Sequence, residues 1–114
     1  MYVLIVGGGR TGSQLARFLL DEQHEVRVIE NRKAVLSGIH RELPTEVVFE
    51  GDPIDLAVLE KAGIQDANVL AACTASDDIN LVLCYLAREK YGVRRTIARV
   101  NHPHNAWLFN EIFR

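Results

Sequence analysis

The chain has 114 residues, 48% of them apolar and 25% charged, with a formal net charge of −2. That is the size and make-up of one ordinary domain with a single core, and the charge leaves no basic footprint for nucleic acid. No apolar run approaches the ~20 residues that span a bilayer, and no basic segment precedes the first apolar run, so neither a membrane helix nor a secretory leader is expected.

In chain order, Tyr2-Val3-Leu4-Ile5-Val6 predicts a strand that runs straight into Gly7-Gly8-Gly9-Arg10-Thr11-Gly12. Leu15, Ala16, Leu19 and Leu20 then fall at helix spacing, with Gln14, Arg17 and Asp21 opposite. A strand, a glycine turn and a helix form the context that raises G-x-G-x-x-G above chance. Gly7 makes the tight turn, Gly9 lets backbone approach a pyrophosphate, and Gly12 lets helix pack on strand. The helix start offers N–H groups and partial positive charge to an anion. The alternative is a βα turn that binds nothing.

Val26-Arg27-Val28-Ile29 predicts a second strand ending at Glu30, and a helix with Val35, Leu36 and Ile39 starts at Asn31. Pro44 and Thr45 break it. A third strand is expected over Glu46–Glu50, closed by Gly51-Asp52-Pro53, before a short helix with Leu56 and Leu59 on its apolar face and Gly63 at its end. Asn68–Cys73 reads as a fourth strand, apolar enough to lie covered on both faces. Asp77 or Asp78 is the expected cap of a helix with Ile79, Val82, Leu83, Leu86 and Ala87 on one face. A fifth strand is expected over Thr96–Val100, and Pro103 opens a last helix running toward Phe113. Cys73 and Cys84, eleven positions apart, fit neither a disulfide framework nor metal ligands. They read as small buried apolar residues in a reducing compartment.

This alternation predicts an α/β, Rossmann-like doubly wound parallel sheet of order 3-2-1-4-5, with helices on both faces. Ligands of such sheets lie across the carboxyl ends of the strands, where the order reverses. Polar candidates collect there. Glu30, 18 residues beyond Gly12, can accept both hydroxyls of an adenosine ribose and would repel a 2′-phosphate, which favours NAD(H) over NADP(H). Arg32 and Lys33 are close enough in sequence to swing toward a phosphate. Asp52 either flanks the adenine or serves its turn. Thr74, Ala75 and Ser76 either line the pyrophosphate or cap the next helix. Asn80 either ties that loop to the site or faces solvent. Arg99, inside an apolar strand, needs a partner: an anionic ligand, or a carboxylate such as Asp78. Arg10 is a second phosphate candidate. The cofactor-binding set is thus Gly7, Gly8, Gly9, Arg10, Thr11, Gly12, Glu30, Asn31, Arg32, Asp52, Thr74, Ala75, Ser76, Asn80 and Arg99, with no catalytic or metal-ligating residue.

The glycine pattern, Val28-Ile29-Glu30, Gly51-Asp52, Ala62-Gly63-Ile64 with Asp66-Ala67, Thr74 with Asp77-Asp78-Ile79-Asn80, and Ile97-Ala98-Arg99-Val100 together resemble the TrkA-N family, the nucleotide-binding lobes of RCK (KTN) regulators of potassium channels and transporters. The resemblance implies a cytoplasmic regulatory subunit or domain at the inner face of the membrane through a channel or transporter partner. It implies a ligand that is NAD(H), or ATP and ADP in some members. It also implies assembly into dimers or rings. Two features depart from the family pattern: Pro53 stands where a small residue is usual, and the chain has five strands where family lobes continue into a sixth strand and often a second lobe. Residues 1–114 are therefore expected to form a single nucleotide-binding lobe, either one part of a longer whole or a minimal member of the family.

Ala106, Trp107, Leu108, Phe109, Ile112 and Phe113 crowd the last helix, which is apolar round most of its circumference. Such a helix needs cover on more than one side. Trp107, Phe109 and Phe113 are the expected anchors of a homo-oligomer. The competing class is a fragment of an NAD-dependent oxidoreductase, but no Tyr-x-x-x-Lys pair exists: Glu89 follows Tyr85, and Arg95 follows Tyr91, at that spacing. His102 and His104 are the remaining acid–base candidates.

Overall fold

A computed structural model describes residues 1–112. Strands β1 (Tyr2–Val6), β2 (Glu25–Glu30), β3 (Val48–Glu50), β4 (Val69–Ala72) and β5 (Arg95–Ala98) alternate with helices α1 (Arg10–Asp21), α2 (Lys33–Glu42), α3 (Leu56–Lys61), α4 (Asp77–Glu89) and α5 (Ala106–Ile112). All strand pairs are parallel, and the sheet order is β3-β2-β1-β4-β5. The order and class are those expected from the pattern of elements.

β1 and β4 are buried along their whole length, because helices cover both faces. Strand alternation sends Leu4, Val6 and Leu70 to one side, where Leu59 of α3 and Leu83 of α4 meet them. Val3, Ile5 and Ala71 go to the other side, against Ala16 of α1 and Leu36 and Ile39 of α2. The register puts Val6 opposite both Ile29 and Ala72, Glu30 opposite Glu50, and Ala72 opposite Ala98. The strand ends are therefore level, and the loops that follow them share one edge.

Several local expectations are corrected. α2 starts at Lys33 rather than Asn31, because the amides of Asn31 and Arg32 both donate to the Glu30 carboxylate and hold the chain extended. β3 is only three residues long, because Pro44 leads into a 3-10 turn over Thr45–Val47 that buries Val47. Leu56, next to the Asp55 cap of α3, is exposed instead of sharing the buried face of Leu59, and Val82 of α4 is exposed as well. β5 stops at Ala98. The Arg99 amide still donates to the Ala72 carbonyl, but the side chain emerges past the strand into solvent, so it is not the buried charge expected. No carboxylate among the described residues forms an ion pair with it.

Candidate functional site

The site is built where β1 and β4 diverge. Gly7 has φ +108°, and its amide donates to the Ile29 carbonyl. A Cβ there would lie 2.7 Å from the Cys73 backbone, so the loops after β1 and β4 touch. Gly12 is held tighter still: its Cβ would stand 1.8 Å from the Gly7 carbonyl oxygen. Gly9 is different. Its φ of −69° suits any residue, and a Cβ would meet only the Arg32 guanidinium, at 3.4 Å. The space beside Gly9 is open to a ligand rather than filled by the fold. Gly9 is also the N-cap of α1, with no side-chain cap and no acidic residue in the first turn. The helix start keeps its N–H groups and partial positive charge for an anion.

Glu30 ends β2 at 3% exposure. Its Oε1 accepts from the Gly8 amide at 2.8 Å, and its Oε2 from the amides of Asn31 and Arg32 at 2.9 and 2.7 Å. The Arg32 guanidinium adds Nε–H to Oε2 and Nη2–H to Oε1, both at 3.0 Å. Burial pushes this carboxyl up, but hydrogen bonds from the Arg32 side chain, the Arg32 amide and the Gly8 amide outweigh it and hold the pKa at about 2. Glu30 is therefore an ionised, rigidly aimed acceptor and a poor general base.

The wall after β4 is tied from behind. Asn80, fully buried, accepts from the Thr74 amide and hydroxyl and donates to the carbonyls of Thr74 and Arg99. Ser76, not Asp77 or Asp78, caps α4 by accepting from the Ile79 amide. Asp77 turns the other way and accepts from the amides of Asn101 and His102 and the side-chain amides of Asn101 and Asn105. These hydrogen bonds, led by that of the Asn101 amide, hold its carboxyl well below the usual carboxylate range. Sequence reading missed this clasp. Its signal was two asparagines, Asn101 and Asn105, in the β5–α5 connection and an aspartate, Asp77, at the start of α4, legible only once β4 and β5 are known to be neighbours.

A crevice of about 440 Å³ opens between these loops. Of the expected residues, Gly7, Glu30, Asn31, Arg32, Asp52, Thr74, Ala75 and Ser76 line it. Gly8 lies buried under Glu30, Gly9 borders Arg32, and Arg10 and Thr11 begin α1 with exposed side chains. Gly12 and Asn80 shape the walls from inside rather than line them. Arg99 is not in the lining. Asp52 holds its turn by accepting from the Ile54 amide, and also lines the crevice, so both of its expected roles are compatible. Ile29, Pro53, Ile54 and Ile79 supply an apolar wall that sequence reading did not single out. His102 and His104 are exposed and outside the lining. Among the described residues, no group of His, Cys, Asp and Glu is placed to hold a metal ion, and no helix is long and apolar enough to cross a membrane.

The site thus joins a helix N-terminus, an open glycine shoulder, a fixed carboxylate and an apolar wall. Such features suit an anion, a hydrogen-bond donor and a flat apolar group. The set can bind and orient a ligand.

Comparison with known proteins identifies the family and the fold. Residues 3–113 match the TrkA-N domain. The chain is 39% identical over 112 residues to a Trk system potassium uptake protein TrkA homolog of Methanothermobacter thermautotrophicus, covering 98% of this chain and 51% of that protein. It is 34% identical over 111 residues to Trk system potassium uptake protein TrkA of Mycobacterium tuberculosis, covering 97% of this chain and 50% of that protein. The chain spans about half the length of these relatives. Among solved structures, the GsuK RCK domain superposes with a TM-score of 0.83 at 25% identity, over 98% of this chain and 23% of that one. The Kef CTD of Shewanella denitrificans, in AMP-bound form, gives the same TM-score at 24% identity, over 98% of this chain and 67% of that one, and shows a shared fold. By its match along almost its whole length and by these relatives, the chain belongs to the TrkA-N domain family.

Proposed function

We propose that this domain is the nucleotide-sensing lobe of a regulator of potassium uptake or conductance, and that it is a switch rather than an enzyme. The ligand is an adenine nucleotide: NAD(H), with ATP or ADP as the alternative. One observation carries the reading. Glu30 is pinned by backbone amides at the end of β2, next to a glycine shoulder whose missing side chain the fold itself does not require. Phosphates would lie against the start of α1, with the loop of Thr74, Ala75 and Ser76 closing over them. The ribose would lie on Glu30, and the base near Pro53 and Ile54. Asn80 and Gly12 position these walls, and Arg10 and Arg99 are solvent-side cations within this scheme.

The nucleotide supplies no chemistry here; it bridges loops from both halves of the sheet. Ligands that bridge them differently would favour different packings of subunits, and only differential affinity between packings can do so. A tenfold difference in affinity biases such an equilibrium by about 1.4 kcal/mol. The assembly surface would include α5, where Trp107 is 61% exposed and Leu108 and Phe109 are half-buried. The side chain of Ile112 and all of Phe113 lie outside the described residues. A homo-oligomer built this way, dimer or ring, would act on a membrane potassium channel or transporter from its cytoplasmic face, in keeping with the names of the TrkA relatives.

Calorimetric titration with NADH, NAD, ATP and ADP tests the reading. Saturable binding of at least one ligand is expected, and well-folded protein that gives no heat with any of them refutes it. Steady turnover of NADH with carbonyl substrates would instead establish the oxidoreductase reading.

A further inference from the structure

Glu30 has more partners than a ribose seat can keep. Three backbone amides fix its carboxylate from behind. The Arg32 guanidinium then grips the two oxygens from outside, each at 3.0 Å. A ribose diol would donate to those same two oxygens, and with five hydrogen bonds already in place there is no room for it beside the guanidinium. The same guanidinium reaches toward the phosphate end of the site: its Nη2 lies 3.4 Å from where a Cβ on Gly9 would stand. Its side chain is 50% exposed, so no packed neighbour blocks a swing away from Glu30 on the solvent side.

We propose that Arg32 is an exchangeable stopper of the ribose seat, released from Glu30 by the ligand's own phosphate. The ion pair holds the seat closed. A ligand with both a ribose diol and a 5′-phosphate supplies a replacement for each partner: hydroxyls for Glu30, and phosphate oxygens for Arg32, which need only swing across Gly9. Adenosine supplies only the first, and leaves the guanidinium without an anion. The result is discrimination against unphosphorylated nucleosides at a position that never contacts the base. The idea rests on the nucleotide reading above and adds to it which part of the ligand opens the site.

The test is calorimetric titration of the wild-type chain, Arg32→Gln and Arg32→Lys with adenosine and AMP, after thermal melts show all three folded. In wild type, AMP binds at least about thirtyfold tighter than adenosine, in line with exchange of one bidentate charge-assisted contact for another. In Arg32→Gln, adenosine binds severalfold tighter than in wild type, and the ratio falls to about threefold or less. Arg32→Lys, which keeps the charge but loses the fork, lies between. Equal weakening of both ligands in Arg32→Gln would make Arg32 a plain wall of the site and overturn the proposal, as would no change in either. Weaker AMP with unchanged adenosine would leave a simple phosphate contact and likewise overturn it. If folded wild type binds neither ligand nor any of NADH, NAD, ATP and ADP, the nucleotide reading itself fails, and the stopper with it.

Discussion

The carbonyl oxygen of Gly7 and the α-carbon of Gly12 are so close that a Cβ on Gly12 would stand 1.8 Å from that oxygen. The glycines of this loop therefore answer to different demands, and the demands can be separated. Gly12→Ala must push α1 off β1 and is expected to destabilise by about 3 kcal/mol, as overpacking does. Gly9→Ala meets only the tip of Arg32. It is expected to lower stability by less than about 1 kcal/mol, the size of a changed N-cap, while weakening nucleotide about tenfold or more. Urea melts and calorimetry on the two variants read the two effects. Equal loss of stability in both would remove the argument that Gly9 is kept small for a ligand.

Glu30→Gln keeps the shape of the seat and removes its charge. Nucleotide affinity is expected to fall about tenfold or more, because charge-assisted hydrogen bonds are replaced by neutral ones. The pH dependence has a definite sign. The carboxyl pKa is lowered from an ordinary 4.5 to about 2 in the fold. Its stabilising contribution is then complete above pH ~4.5 and drains away as pH falls toward about 2. The stability difference between wild type and Glu30→Gln should be flat from pH 8 to 5 and shrink below pH ~4.5. Urea melts along that series check it; a difference that changes between pH 7 and 5 would show that Glu30 titrates where it should not.

Asn80 lies behind the crevice and touches three backbone groups, the Thr74 amide and the carbonyls of Thr74 and Arg99. Asn80→Leu fills the space but strands buried polar groups, at about 1–3 kcal/mol for each group left without a partner. Hydrogen exchange should accelerate at Thr74 and around Arg99 before it does in β1. Uniform acceleration across the sheet would mean that Asn80 is ordinary core and not the tie between two loops.

The framework was legible because two periodicities and a glycine pattern agreed. The continuous apolar run of β4 announced a strand covered on both faces, and the glycine loop tied β1 to the first helix. Element ends were less legible, since tertiary hydrogen bonds set them. Nothing local to Asn31 or Arg32 says that a carboxylate will take their amides and delay α2. Arg99 was misjudged because an edge strand exposes what a central one buries. Glu30 was found by its distance from the glycines, but its grip by Arg32 was not, because two neighbours in sequence can meet only when the backbone between them turns.

Trp107 bears on assembly. Trp107→Glu places a charge on a surface proposed to be covered in an oligomer, and should shift sedimentation velocity toward the monomer without lowering the melting temperature of the lobe. Unchanged association would move the contact away from α5.

The most direct test of the central claim is an amide NMR titration of the folded domain with NADH, and in parallel with ADP. Saturable shifts are predicted at the amides of Gly7 through Gly12, Glu30 through Arg32, Asp52, and Thr74 through Ser76, all on one binding curve, with that curve displaced about tenfold or more to higher ligand concentration in Glu30→Gln. No shifts at these amides, or a binding curve unchanged in Glu30→Gln, would contradict the claim that this edge of the sheet holds an adenine nucleotide.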